Sequence, residues 1–321
     1  MGQGSRAGAH LGGIKPSSRQ RPLRLLLGFS PGSASDQIAR VIAGPLAERL
    51  GKPVHIELRP GNNGADAASE VAASAADGHT LFVATLGTHA LAPHLDARLS
   101  YDPLSDFTPV SLLSRAPLLL ACHPSVAAGS IRELIELARA RPRELTYATS
   151  AIAGAPHLAA ELFQEMAGVE MRHARYDRTD ELYRELESGR VSLSFNNMMS
   201  MLPRCRGRAL RPLGISAAER SGAAPDLPTI AESGLPGYEV SNWLGIVAPK
   251  STSPGTVTEL NLAVCDAMRS AAVLRPLRAA GVIPCASTPE EFGQFMSAEI
   301  SRWKPIVKRF RHTAAGQRQP A

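Results

Sequence analysis

The sequence has few aromatic residues and few cysteines. Phe, Trp and Tyr together make up 5% of its 321 residues. The four cysteines, Cys122, Cys205, Cys265 and Cys285, are too widely separated for a C-x-x-C redox pair or for any zinc-binding spacing. We therefore predict buried thiols, and the spacing leaves open two disulfides in an oxidising compartment.

Long hydrophobic runs are also missing. No apolar run approaches the roughly 18 residues of a membrane span. The first residues also lack the apolar core of a secretory signal. We interpret residues 1–21 as a disordered leader.

Acidic residues are absent from both ends of the chain. The formal net charge is +6, and residues 1–21 carry four basic side chains while residues 302–321 carry six. Subtracting these ten leaves the body of the chain at about −4. A nucleic-acid groove needs Lys and Arg clustered with aromatic residues inside the folded body, and no such cluster occurs. We predict no nucleic-acid partner, and a basic tail at 311–321.

The residues that are present describe an ordinary globular protein. The chain is 44% apolar and 20% charged, and its length predicts two domains. Short apolar runs alternate with Ala-rich helical stretches, with Gly or Pro between them. This pattern predicts an α/β fold built of βα units around a mostly parallel sheet. One helix is predicted to end at Gly51, another to begin near Ser130, and two separate strands are predicted at 108–114 and 117–124.

The regular alternation stops after residue 205. A long connection rich in Pro and Gly then leads to a strand at 244–249 and two closing helices. We predict one discontinuous lobe at 22–116 and 244–310, and a second lobe at 117–243. The chain therefore passes between the two lobes twice at one place, which indicates a hinge. A ligand cleft is then expected between the lobes, where strand ends meet.

The segment GFSPG at 28–32 matches the G-x-S-x-G of a nucleophile elbow. The match fails chemically, because the residue after Ser30 is Pro31, which has no N–H for an oxyanion hole. Anion binding fits the segment better, since small residues stand where a strand gives way to a helix. The alternative is plain helix capping by Ser35 or Asp36.

Three more turns of this kind follow apolar strands, at 85–89, 148–157 and 176–180. Together with the first turn they predict four loops that line one cleft with backbone N–H groups and hydroxyls. His157 starts a helix, and both a capping role and a ligand role stay open. His89, His94 and Asp96 lack a metal-binding spacing, and no dinucleotide or nucleotide motif occurs, so no metal or cofactor is predicted.

Several longer blocks carry a family resemblance. They include YDPLSDF at 101–107, LPTIAESGLPGYE at 227–239 and the W-x-G-x-x-A-P pattern at 243–249. Over about residues 21–310 the chain resembles the substrate-binding proteins of tripartite tricarboxylate transporters, the TctC or Bug family. This resemblance implies a type II periplasmic-binding-protein fold, in which two α/β lobes with two crossing segments close on a small carboxylate without catalysis.

The resemblance also implies the binding residues. Family members hold a carboxylate mainly through the loop after the first strand, with help from later loops. Carried over to this sequence, the ligand-binding candidates are Gly32, Ser33, Ala34, Ser35, Asp36, Thr85, Thr88, Ser150, Ala153, His157, Tyr176, Asp177 and Asn196.

The sequence departs from the family pattern at three of these places. Ser33 stands where the family usually has a second glycine, and Arg175-Tyr176-Asp177-Arg178 replaces a common P-Y-K-G. Asn196 stands where F-D-N has its acid, so a cleft carboxylate is lost while Asp177 adds one. These changes act in opposite directions on the binding of a second negative charge. The identity of the solute therefore stays open.

The resemblance implies a periplasmic receptor that delivers a small organic anion to integral-membrane permease subunits. A sensory protein that reports the solute to a signalling partner is the alternative. A cytoplasmic paralogue also stays open, because no export signal is visible. We expect a monomer without enzymatic activity.

Overall fold

The computed structural model describes residues 21–150 and 154–315. The predicted leader up to residue 20, Ala153 and the end of the predicted basic tail lie outside the described residues. Within these residues, ten strands form a single mixed sheet. They are β1 (Leu23–Leu27), β2 (Val54–Leu58), β3 (Thr80–Thr85), β4 (Phe107–Cys122), β5 (Thr146–Thr149), β6 (Arg172–Arg175), β7 (Leu193–Asn197), β8 (Arg211–Ile215), β9 (Ser241–Pro249) and β10 (Ile283–Pro284).

Helices cover the sheet. They are α1 (Ala34–Leu50), α2 (Ala65–Ala72), α3 (Ala92–Leu95), α4 (Ile131–Ala140), α5 (Ala155–Ala167), α6 (Thr179–Glu187), α7 (Met198–Arg206), α8 (Pro254–Arg269), α9 (Ala271–Ala279) and α10 (Pro289–Ala315). A 3-10 turn at Asn62–Gly64 and a π-helical turn at Leu86–Leu91 complete the described elements.

Two helix boundaries follow from local chemistry as predicted. Helix α1 ends before Gly51, which adopts the left-handed conformation with φ of 62°. Helix α4 begins after Ser130, whose side chain accepts a hydrogen bond from the backbone N–H of Glu133. Helix α10 extends to Ala315, so the predicted basic tail begins inside a helix.

Strand β4 is one long strand where the sequence predicted two. Its Arg115, Ala116 and Pro117 pair with residues of β9 without a break. The Ser-Arg-Ala-Pro stretch forms no turn. Pro117 removes one backbone N–H donor, and the strand pairing continues on both sides of it. The prediction of two separate strands was therefore wrong.

Strand β4 also joins the two halves of the sheet. Up to Pro117 it pairs with β9, and from Leu118 onward it pairs with β7 and β8. The strand order is β2-β1-β3-β9-β4-β7-β5-β6, with β8 and β10 also against β4. Strands β1, β2 and β3 are parallel, as are β5, β6 and β7, whereas β4 and β9 run antiparallel to their neighbours. The sheet is mixed rather than mostly parallel.

Buried leucines explain the position of β1 inside the sheet. Leu25 packs in one apolar cluster with Ile38 of α1, while Leu26 belongs to a second cluster with Phe82 of β3. Successive side chains of a strand point to opposite faces, so an unbroken apolar run is buried on both. The loop that follows β1 therefore starts from a fixed point at the carboxyl end of the sheet.

Candidate functional site

A cleft lies at the carboxyl ends of β1, β3, β5 and β7. The space between its lining atoms is about 600 Å³, part of it open solvent. The residues that line it are Phe29, Gly32, Ser33, Ala34, Ser35, Thr85, Gly87, Ser150, Gly154, Ala155, Pro156, Thr179, Asn196, Asn197, Ser200 and Asn242. Below, "the cleft" means this set.

The loop between β1 and α1 has a conformation fixed by its own residues. Gly32 adopts a φ of 78°, and its N–H donates to Asp36 Oδ2 at 2.8 Å. Ser33 caps the helix, because its hydroxyl accepts from the Asp36 N–H at 3.4 Å. The cap is thus Ser33, and the prediction of capping by Ser35 or Asp36 was wrong, since the helix begins at Ala34.

Asp36 supports this loop from behind. It is buried, it does not line the cleft, and its other carboxylate oxygen lies 2.8 Å from Arg40 Nε. Gly28 at the start of the loop touches Gly64, and a Cβ at position 28 would overlap with the Cα of Gly64. A larger residue at 28 would therefore displace the binding loop.

The amino ends of four helices converge on the cleft. Each of α1, α5, α6 and α7 contributes lining residues from its cap or first turn, namely Ser33 to Ser35, Gly154 to Pro156, Thr179, and Asn197 with Ser200. Helix amino ends carry partial positive charge and unpaired N–H groups. None of the described lining residues is ionisable. The electrostatics of the cleft therefore come from backbone dipoles and neutral donors, an arrangement suited to an anion.

Thr85 and Thr88 divide their roles. Thr85 lines the cleft, and its hydroxyl accepts from the Thr88 N–H at 3.2 Å. Thr88 is fully buried. Its hydroxyl donates to the carbonyl oxygen of Thr85, and its own carbonyl accepts from Tyr101 Oη at 2.7 Å. The pair forms a capping box that holds Thr85 at the cleft, and Thr88 does not itself line it.

His157 points into a cluster behind the cleft. Its ring lies 4.7 Å from the ring of His173, which stacks on Tyr147 at 4.8 Å. Burial lowers the pKa of His157 and that of His173, each to about 4. The His173 Nε2 is 2.6 Å from the Thr149 hydroxyl at the end of β5. The cluster thus supports the strand before Ser150, and the two residues before His157 line the cleft in its place.

Tyr176 and Asp177 stand at the rim. Tyr176 packs against an apolar cluster under α6 and α7, and burial raises the pKa of its phenol. Asp177 is exposed and ion-pairs with Arg175 at 3.2 Å. Asp177 and Arg175 border a second space, which shares Phe29, Ser33, Ser150 and Thr179 with the cleft.

Asn196 lies at the floor of the cleft, at the end of β7. It is 6% exposed, and its Oδ1 accepts from the backbone N–H of Asn197 at 2.9 Å. No residue that the structure describes accepts a hydrogen bond from its Nδ2. The cleft thus brings together Gly32, Ser33, Ala34, Ser35, Thr85, Ser150 and Asn196 of the predicted residues, while Ala153 lies outside the described residues.

Sequence reasoning missed the residues that bridge the cleft. The Ser30 hydroxyl lies 3.3 Å from that of Thr179, and Gln37 Nε2 donates to Ser200 Oγ at 2.6 Å and to Gly32 O at 2.8 Å. Ser200 belongs to α7, and Asn197 is the residue that precedes this helix. The sequence did not lead us to predict α7. A signal for this further strand-to-helix turn was available in the sequence. The strand VSLSFNN is followed directly by MMSML, with a proline at 203.

Ser30 and the buried His89 both have structural partners. Ser30 is bonded to a threonine and is followed by Pro31. His89 packs between Phe82 and Phe107, and burial lowers its pKa to about 3. In the described ranges no three His, Cys, Asp or Glu side chains are grouped to hold a metal ion. All four cysteines are free thiols, with Cys122 and Cys265 buried and the other two only partly so.

Residues 38–311 match the sequence profile of the tripartite tricarboxylate transporter family receptors, TctC. The chain belongs to this family. TctC-family members are solute-binding receptors of tripartite transport systems, and the resemblance seen in the sequence is confirmed.

In the parts that the structure describes, no helix has both the length and the apolar character needed to cross a membrane.

Several proteins support this assignment in detail. The chain is 34% identical over 289 residues to protein BugT of Bordetella pertussis, covering 90% of this chain and 89% of BugT. The solved structure of Rpa4515 from R. palustris with adipate has a TM-score of 0.87 and 38% identity, covering 92% of this chain and 98% of that one.

A second structure is that of MatC (Rpa3494) from Rhodopseudomonas palustris with bound malate. It has a TM-score of 0.83 and 32% identity, covering 89% of this chain and 99% of MatC. The similarity to solved structures of periplasmic solute-binding proteins confirms the predicted type II periplasmic-binding-protein fold, with its ligand cleft.

Proposed function

We propose that this TctC-family receptor binds a small organic carboxylate in the cleft and delivers it to the membrane permease of a tripartite system. The observation that carries the proposal is the convergence of four helix amino ends on a cleft without an ionisable lining residue among those described. Unpaired N–H groups and helix dipoles stabilise an anion. Two similar receptors were solved with small dicarboxylates, adipate and malate, which supports the same solute class here.

The proposed lobes are 22–116 with 244–310, and 117–243. Strand β4 changes partners between Pro117 and Leu118, and the chain returns to the first half of the sheet at the start of β9. The cleft takes Ser33 and Thr85 from the first lobe and Thr179 and Asn196 from the second. A solute that contacts both lobes only in the closed state shifts the equilibrium toward closure.

The remaining features of the proposal follow from family membership. We place the receptor in the periplasm, as a monomer that closes on its solute and docks on permease subunits. We assign it no catalytic activity and no cofactor. Thermal unfolding of the purified chain in the presence of succinate, malate, adipate and aromatic acids tests solute binding, because a ligand of the native state raises the melting temperature.

The variant Ser33→Asp sharpens this test. Aspartate is as good an N-cap as serine, so α1 keeps its cap, but a negative charge enters the anion site. We expect the melting temperature without solute to stay nearly unchanged and the solute-induced shift to disappear. Ser130→Asp is the matched control, because Ser130 caps α4 in the same way and does not line the cleft. A shift retained by Ser33→Asp would remove the proposed site.

A further inference from the structure

The Asn196 side chain has a donor without an acceptor. Its Oδ1 accepts from the Asn197 N–H at 2.9 Å, which fixes the amide orientation, because a flipped amide would turn Nδ2 toward another N–H. Its Nδ2 therefore points away from the backbone, and within the described ranges it meets no acceptor. Side chains buried to this extent are normally hydrogen-bonded, so such a group calls for a partner from elsewhere.

The surroundings of Nδ2 indicate where that partner comes from. Asn196 lines the cleft together with Ser150, Ser200 and Asn242. Its neighbour Asn197 is engaged differently, since its Oδ1 accepts from Asn242 Nδ2 at 3.3 Å. Asn196 thus lines the space that a solute would fill, and its buried Nδ2 is without an acceptor among the described residues.

We propose that Asn196 Nδ2 donates to an acceptor oxygen of the bound solute, and that Asn196 thereby determines specificity. This inference rests on the proposed function. The end of the solute that lies against Asn196 is a carboxylate or carbonyl group. A solute that presents an ammonium group there is rejected.

The selectivity follows from the hydrogen-bonding inventory of the two groups. The Asn Nδ2 group only donates, and an ammonium group only donates as well. Two donors facing each other in a buried site leave both without an acceptor, and a site with unpaired buried groups discriminates strongly. A carboxylate oxygen accepts from Nδ2 and so supplies the acceptor that this buried group lacks.

Isothermal titration with matched solute pairs tests this assignment. Each pair replaces one terminal carboxylate by an ammonium group: succinate and β-alanine, glutarate and 4-aminobutyrate, adipate and 5-aminopentanoate. We expect the natural chain to bind the diacid of a pair at least about tenfold more tightly. In Asn196→Asp, a nearly isosteric change, we expect diacid affinity to fall by about tenfold or more and the preference within the pair to shrink or reverse.

Two further variants separate the possible causes. Asn63→Asp adds the same charge at the exposed rim next to the cleft, and we expect it to leave the preference within each pair unchanged. Asn196→Ala removes the donor without adding charge, and we expect weaker diacid binding with no gain for the amino acid. Thermal melts without solute check that each variant is folded.

The outcomes are distinct. Equal effects of Asn196→Asp and Asn63→Asp on the preference, or no effect of Asn196→Asp, would overturn the assignment of Asn196 while leaving the receptor function intact. A natural chain that binds the amino acids as tightly as the diacids would overturn it as well. If the natural chain binds none of the carboxylates, the proposed function itself fails, and the assignment fails with it.

Discussion

Gln37 on α1 donates a hydrogen bond of 2.6 Å to the Ser200 hydroxyl on α7, from one side of the cleft to the other. The same amide nitrogen donates to the Gly32 carbonyl at 2.8 Å. The bond therefore ties the loop between β1 and α1 in one lobe to the helix amino end of the other. We interpret it as a contact that favours the closed arrangement before solute adds its own contacts.

Replacing Gln37 by Ala should shift the receptor toward an open form. A hydrogen bond of this kind contributes about 1 kcal/mol, so we expect solute affinity to fall by about fivefold. The radius of gyration of the solute-free protein should rise. Small-angle X-ray scattering and calorimetric titration measure the two effects.

Ser200→Ala completes a double-mutant cycle with Gln37→Ala. The double variant should be no more open, without solute, than either single variant. Gln294→Ala, which removes an exposed hydrogen bond to Glu290 on α10, is the control and should leave the radius of gyration unchanged. Additive effects of the two cleft variants would show that the contact does not couple the lobes.

The histidine pair behind the cleft should make stability depend on pH. Burial holds the pKa of His157 and of His173 at about 4, below the ordinary 6.5. Between these two pKa values the unfolded chain binds protons that the folded chain does not. The contribution of the two histidines to the free energy of unfolding is therefore fully present above pH 6.5 and is lost as the pH falls toward 4. The charged groups nearby are Glu161, 3.8 Å from His157, and Arg175, which lowers the pKa of His173.

Denaturant unfolding between pH 7 and 4.5 measures this dependence. Each histidine adds at most about 1.4 kcal/mol per pH unit, and the double variant His157→Gln with His173→Gln should lose most of the slope. His89 contributes in the same direction and is present in both proteins, so its effect cancels. Exposed His55→Gln serves as the control and should keep the natural slope. An unchanged slope in the double variant would contradict the prediction.

Glu299 should be a strong determinant of stability. Glu299 is 7% exposed, and its carboxylate accepts from the indoles of Trp243 on β9 and Trp303 on α10 at 3.1 and 3.0 Å. Glu299→Ala leaves two buried donors without an acceptor, which should cost about 3 kcal/mol of unfolding free energy. Glu299→Gln keeps one acceptor oxygen and should cost less.

Thermal and denaturant unfolding test this prediction. Glu290→Ala on the exposed face of the same helix is the control and should change stability little. Solute affinity should persist in folded Glu299→Gln, because Glu299 does not line the cleft. A loss no larger than that of the control would mean that the indoles find other acceptors.

The sequence by itself determined the local elements and the chemistry of the first loop. Gly51 ends α1 and Ser130 begins α4 because those residue types have one favoured place at a helix end. Pro31 excluded a nucleophilic serine, because a missing N–H needs no structure to be recognised. Six of the cleft residues lie in turns that could be recognised in advance, because strand ends followed by small residues carry a local signal: Gly32, Ser33, Ala34, Ser35, Thr85 and Ser150. The seventh, Asn196, was named only from the family resemblance.

Tertiary structure alone decided which of these groups face the cleft. Thr88 and His157 stand in the right loops, yet buried partners turn their side chains away. Gln37 reaches Ser200, 163 residues further along the chain, only because the two lobes meet. The open donor of Asn196 exists because the Asn197 N–H occupies its oxygen. Such orientations depend on contacts between distant segments, and one strand or helix considered alone does not contain them.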